Sequence, residues 1–123
     1  MTIASNTGAI TGVAIAISFQ DAAKTVDLDN AGNITGGQGI TADIGNINNS
    51  GTITGREAAI NINAANVTNT GLLQATGNSD AGLVASTADL TNTGTIIGTT
   101  GIFAASTTAP ARTCRCSARP RAW

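Results

Sequence analysis

Aliphatic and small polar residues alternate along this chain in short stretches, and the stretches come in sets. The most regular set carries Ile10, Ile34, Ile53, Leu73 and Ile96, each inside the phrase Asn-x-Gly-x-aliphatic-x-Gly. Copies of the phrase begin at Asn6, Asn30, Asn49, Asn69 and Asn92, at steps of 24, 19, 20 and 23 residues. The copy at Asn69 departs only at its last place, where Ala75 stands for Gly. A second apolar stretch follows each phrase, over 14–17, 39–42, 59–62, 82–85 and 101–104. A third leads into the next phrase, over 26–28, 44–47, 67–68 and 90–91. A period of two predicts half-buried strands. None of the stretches has the length or the 3.6-residue spacing of an amphipathic helix.

Three short strands and three turns in about 20 residues are too compact for hairpins and suit one coil of a solenoid. The expected fold is all-β: a right-handed parallel β-helix of about five coils, with three short strands per coil. Equivalent Ile side chains stack inside, and equivalent Asn side chains form a ladder of amides at one corner. Neighbouring coils lie about 4.8 Å apart, so five coils make a column of roughly 20–25 Å. The phrase Gly is read as a corner residue that supplies positive φ. Proline is absent before Pro110, as interior ladder strands require. The longer polar spacers, 18–25 and 76–81, are expected to project from one side of the column and to carry its interactions.

Composition sharpens this picture. Charged residues make up 11% of the chain, below the ~25% usual for soluble domains. Aromatics are 2% and histidine is absent. A core of similar-sized aliphatics fits a stack of equal layers better than a globule centred on large rings. The net charge of −1 hides a split. Up to Thr108 there are two cations, Lys24 and Arg56, against seven carboxylates, a balance of −5. A mildly acidic body argues against nucleic acid as its partner, and none is expected. Residues 110–123 hold both prolines, both cysteines, the one tryptophan and Arg112, Arg115, Arg119 and Arg121. The chain therefore divides into a repeat domain, 1–109, and a basic tail, 110–123, expected to be disordered and to have arisen by a reading-frame change or an artefact of gene calling, the alternative being a basic interaction tail. The apolar run Val13–Ile17 lacks the basic region and cleavage site of an export signal. No run reaches the ~20 apolar residues of a membrane helix, so no direct membrane insertion is expected.

With three strands per rung and the phrase Asn49-Ser50-Gly51-Thr52-Ile53-Thr54-Gly55 followed by Ala59-Ile60, residues 6–104 resemble the passenger repeats of bacterial autotransporters and related surface adhesins. That resemblance implies a structural or adhesive segment of a surface-exposed or secreted protein, and a chain that is a fragment of a longer passenger or a truncated gene product. The partners it implies are a host surface or a polysaccharide. Self-association through the coil ends follows separately, from unpaired strand edges.

Candidate chemistry is sparse. Polysaccharide-acting β-helices need clustered acids or a calcium site with a basic group. The best local pair is Asp27 and Asp29, on one strand face, and Asp43 and Asp89 are candidates for neighbouring corners. Gly36-Gly37-Gln38-Gly39-Ile40-Thr41 resembles a calcium-binding nonapeptide, but Thr41 stands where that motif needs Asp, and the segment is read as a turn. Cys114-Arg115-Cys116 is too close for an easy disulfide and too sparse for zinc. Glycosylation triplets at Asn33, Asn48 and Asn66 arise by chance in so Asn/Thr-rich a repeat. A threonine row at Thr11, Thr35 and Thr54 suggests an ice-binding face, broken by Gln74 and Ile97. No catalytic residue, cofactor or metal is expected. The alternatives held against a structural role are a polysaccharide-acting enzyme fragment and an ice-binding solenoid.

Overall fold

The computed structural model describes residues 2–20, 25–78, 81–107 and 116–117. These residues form eleven strands: β1 (Thr2–Asn6), β2 (Ala9–Thr11), β3 (Ile15–Phe19), β4 (Thr25–Asn30), β5 (Asn33–Asn49), β6 (Thr52–Asn69), β7 (Leu72–Ala75), β8 (Ala81–Asn92), β9 (Thr95–Ile97), β10 (Thr100–Thr107) and β11 (Cys116–Ser117). Every pairing between them is parallel, and the chain winds as a β-solenoid of about five turns. The short strands expected from the sequence fuse in places: β5 and β6 each run through two corners and pair along both, with a register shift between Gly36 and Gln38.

Three walls result. The entry wall precedes each phrase Asn and aligns 2–6, 25–30, 44–49, 64–69 and 87–92. The phrase wall aligns Ile10, Ile34, Ile53, Leu73 and Ile96. The far wall aligns Ile17, Ile40, Ile60, Leu83 and Ile102. Alternation sends one side chain in two to the interior, where the aliphatic columns meet. Ile34, Ile53, Leu73 and Ile96 are completely buried, and so are Ile60 and Leu83. Each such side chain stabilises the column by about 1.5–3 kcal/mol. The outermost members, Ile10, Ile17 and Ile102, are partly buried, with one neighbouring layer packed against them among the described residues.

The corner after each phrase Asn is the fixed point of the design. Two residues fill it in every coil, from Thr7-Gly8 to Thr93-Gly94. A ladder of buried amides runs through it. Nδ2 of Asn6 donates to Oδ1 of Asn30 at 2.8 Å, Asn30 to Asn49 at 2.7 Å, Asn49 to Asn69 at 2.8 Å and Asn69 to Asn92 at 2.7 Å. Each Nδ2 also reaches the carbonyl of the Gly two residues on, at 3.2–3.3 Å. No buried side-chain polar atom among the described residues lacks a partner.

The phrase Gly has a different reason from the one expected. None of Gly8, Gly32, Gly51, Gly71 and Gly94 has the positive φ that a left-handed corner would need. Instead, a Cβ on Gly32, Gly51, Gly71 or Gly94 would lie 2.0–2.2 Å from the carbonyl oxygen of the phrase Gly one coil below. The glycines are stacked backbone on backbone, at a distance no side chain fits. Gly8, in the first coil, has nothing within 4 Å of that position. Gly51→Ala is therefore expected to destabilise the column by about 2–3 kcal/mol, and Gly8→Ala by less than about 0.5 kcal/mol, in urea titrations of the two variants.

Variation in repeat length falls at the other two corners. Thr11 and Ile15 pair with Thr35 and Gln38, so three residues fill a corner that two fill one coil later. Arg56-Glu57 replace the single Gly37 and shift the register between β5 and β6. The larger insertions, around 20–24 and 76–80, sit at different corners: the first between far and entry walls, the second between phrase and far walls. They do not share one side, contrary to expectation. The amide ladder and the glycine stack lock only the Asn corner, which leaves both others free to lengthen. Residues 21–24 and 79–80 within these insertions lie outside the described residues. So does most of the tail expected to be disordered; its described part, β11, adds a parallel pairing of Cys116 and Ser117 to Ile96 and Ile97.

Candidate functional site

With the interior filled by aliphatics and Asn, whatever the column recognises must meet its outward columns. On the entry wall, two outward positions precede each phrase Asn. One aligns Asp27, Asn46, Asn66 and Asp89, and the other aligns Asp29, Asn48, Thr68 and Thr91. Amides link them up the wall: Asn46 Nδ2 donates to Asp27 Oδ1 at 2.6 Å, Asn66 Nδ2 to Asn46 Oδ1 at 2.9 Å, and Asn48 Nδ2 to Asp29 Oδ1 at 3.2 Å. Shallow grooves run beside these columns. One of about 310 Å³ is lined by residues that include Ile44, Asn46, Asn66 and Asp89, and one of about 250 Å³ by residues that include Asp27, Asp29, Asn48 and Thr68.

Asp27 and Asp29 thus share a face, as their spacing implied, but each accepts an amide hydrogen bond from the coil above. Asp43 and Asp89 are not brought together. Asp43 accepts from Asn63 at 2.9 Å at the corner before the entry wall, whereas Asp89 stands in the Asp27 column three residues further along. Among the described residues no three His, Cys, Asp or Glu side chains gather as a metal site. The only cation described is Arg56, exposed at the corner between phrase and far walls.

The far wall is less polar. Its outward column runs Ser18, Thr41, Asn61, Val84, Phe103 and so changes from polar to apolar up the column. Phe103 is 63% exposed. Gln38 anchors the lower half: Nε2 donates to Glu57 Oε2 at 3.1 Å, and Oε1 accepts from Thr41 Oγ1 at 2.6 Å. The glycine-rich segment 36–41 is thus a tight corner leading into strand, with Gly36 and Gly37 packed against the backbone of the first coil and of Gln38. On the phrase wall, Thr11, Thr35 and Thr54 stack in register, and Gln74 and Ile97 interrupt the row. The three glycosylation-triplet residues, Asn33, Asn48 and Asn66, are exposed.

The outward Asp/Asn ladders had a signal that the sequence reading passed over. The positions three and one before each phrase Asn from Asn30 onward are Asp27 and Asp29, Asn46 and Asn48, Asn66 and Thr68, and Asp89 and Thr91. Side chains able to bond along a column recur there in every described coil that has a coil below it. Chemically, this wall presents ranks of carboxylate, amide and hydroxyl groups about 4.8 Å apart. It can hydrogen-bond a long polar ligand or a protein surface.

Architecture therefore defines the class of this protein as a parallel β-solenoid with an internal asparagine ladder. No family model, curated protein or solved structure matches the chain. No helix of the described residues is long and apolar enough to cross a membrane.

Proposed function

We propose that this chain is a structural and adhesive segment of a bacterial surface-exposed or secreted protein of the autotransporter type, with no catalytic role. The observation that supports this reading most is the division of labour in each coil. Interior positions build one unbroken column, while outward positions present repeated hydrogen-bonding groups with no clustered acid, base or metal site among the described residues. A stiff column that offers the same groups at every level suits multivalent attachment, in which many weak contacts sum to a useful avidity. The entry wall is the surface assigned to that role, and a polysaccharide or a host surface is its partner. The resemblance of residues 6–104 to passenger repeats supports the location.

The test is binding by immobilised wild-type chain and by a variant carrying Asn46→Ala, Asn48→Ala and Asn66→Ala. All three side chains are exposed, so the variant should keep the wild-type melt within a few degrees. Retention of polysaccharide-coated or cell-coated beads should fall at least tenfold. Undiminished retention would move the binding surface elsewhere. Release of shortened saccharides would instead identify an enzyme.

A further inference from the structure

On the entry wall, the outward Asn46 and Asn66 form a ridge between two grooves of different chemistry. On one side the neighbouring column is Asp29, Asn48 and Thr68, so both banks of the 250 Å³ groove are polar. On the other side the neighbouring column is Thr25, Ile44, Ala64 and Thr87, which bounds the 310 Å³ groove. That bank is apolar at its two middle levels. Ile44 is 39% exposed, and among the described residues it is the one large hydrophobic exposed on this wall. The opposite bank is preorganised. Asn46 spends one of its two amide N–H groups on Asp27, and Asn66 spends one on Asn46. Each keeps a second N–H and a lone pair on its oxygen, and both side chains are exposed. The bonds along the column hold both amides in one orientation before any ligand arrives, which lowers the ordering cost of binding.

We propose that the groove between Ile44 and Asn46 binds a neutral, extended polysaccharide of equatorially linked pyranoses, laid parallel to the axis of the column. The inference rests on the reading of the entry wall as the binding surface, and it names the ligand and the groove. A pyranose ring has the same two-sided chemistry as the groove. Its C–H face is apolar and suits Ile44 and Ala64, while its hydroxyls both donate and accept, as Asn46 and Asn66 do. Direction follows from the repeat. Equivalent groups recur about every 4.8 Å along the axis. A chain of equatorially linked pyranoses repeats on nearly that length, so successive sugars meet successive coils. Laid across the column, the same chain would meet one level only. A glycan with axial links curls away from a straight line and loses the match. Charge selects the neutral class. Asp27 and Asp29 stand on this wall, and no Lys or Arg is among its described residues, so uronate or sulfate groups are repelled. The levels from Thr25 to Thr87 span about 14 Å, room for roughly three to four sugars.

The full chain, isotope-labelled for nuclear magnetic resonance, is titrated with cellohexaose, with axially linked maltohexaose and with an acidic oligogalacturonate of the same length. Cellohexaose should move the side-chain amide signals of Asn46 and Asn66 saturably, and affinity should rise with oligomer length to about the tetramer and then level off. The other two should bind at least tenfold more weakly. Ile44→Ser should weaken cellohexaose binding at least fivefold with a melt within a few degrees of wild type, since Ile44 is already exposed. Phe103→Ala, which removes an exposed hydrophobic from the far wall, should leave the binding unchanged. Absence of any amide shift at about 3 mM cellohexaose overturns the proposal. So does a preference for the acidic or the axially linked oligomer, or a loss of binding in Phe103→Ala and not in Ile44→Ser. Shifts centred on Asn48 and Thr68 would put the ligand in the polar groove and overturn it too. Cell-coated beads retained by a chain that binds no cellohexaose would leave the entry wall as the binding surface and overturn this ligand alone.

Discussion

Ile53→Asp is expected to abolish the cooperative thermal transition of this protein, while Thr52→Asp lowers its stability by less than about 1 kcal/mol. The two positions are adjacent, in the central coil, and have similar propensity for strand. They differ in direction. Ile53 is completely buried between Ile34 below and Leu73 above, and Thr52 points outward and is half-exposed. An aspartate at 53 must either ionise among aliphatics or take up a proton, and no group in that column is placed to bond it. The damage also spreads. A solenoid holds each layer only through its neighbours, so losing the middle coil leaves two-coil stubs, fewer than the three repeats a stable stack needs. Far-ultraviolet circular dichroism melts of the two variants check this. Equal losses would count against the inward and outward assignment of the phrase wall.

Asn49→Ala should cost about 3–5 kcal/mol, several times the loss for Asn6→Ala. Asn49 is completely buried, and its amide bonds in both directions. Its removal takes the acceptor from Asn30 Nδ2 and the 2.8 Å donor from Asn69 Oδ1, and it also ends the contacts to the carbonyls of Gly51 and Leu72. A buried acceptor left without its donor costs roughly 1–3 kcal/mol, and the missing amide adds a cavity. Asn6, at the lower edge, has an amide bond on one side only among the described residues. A urea titration should show a lower midpoint for Asn49→Ala with an unchanged slope.

Much of the architecture was legible in the sequence because a solenoid writes its period directly into the chain. The Asn phrase fixed the register, and the alternation around Ile34 and Ile53 fixed which residues turn inward. The amide ladder followed once five equivalent Asn residues had to stack at one corner. What glycine does at that corner was not legible. A glycine kept for positive φ and a glycine kept for close approach look the same in a sequence, and only the 2.1 Å between a Cβ on Gly51 and the carbonyl of Gly32 separates them. The placing of the long spacers was misread for a related reason. Spacer length does not say which corner absorbs it, and the register pairs were needed to assign 20–24 and 76–80 to different corners. Asp43 and Asp89 looked comparable as corner acids, yet the position of each within its coil puts them in separate columns. The entry-wall ladders were visible as Asp or Asn three residues before Asn30, Asn49, Asn69 and Asn92, but in a chain so rich in Asn they stood out only once the coils were superposed.

The constant two-residue Asn corner has a consequence for how such a protein can change over generations. Each coil presents the same lower and upper faces, so an in-frame duplication of one 20-residue unit, such as 49–68, would insert a layer whose neighbours are already complementary on both sides. The column would grow by about 4.8 Å without any compensating substitution. Reach is thus a property that unequal recombination can lengthen or shorten one rung at a time. The sequence on the outward walls can diverge independently.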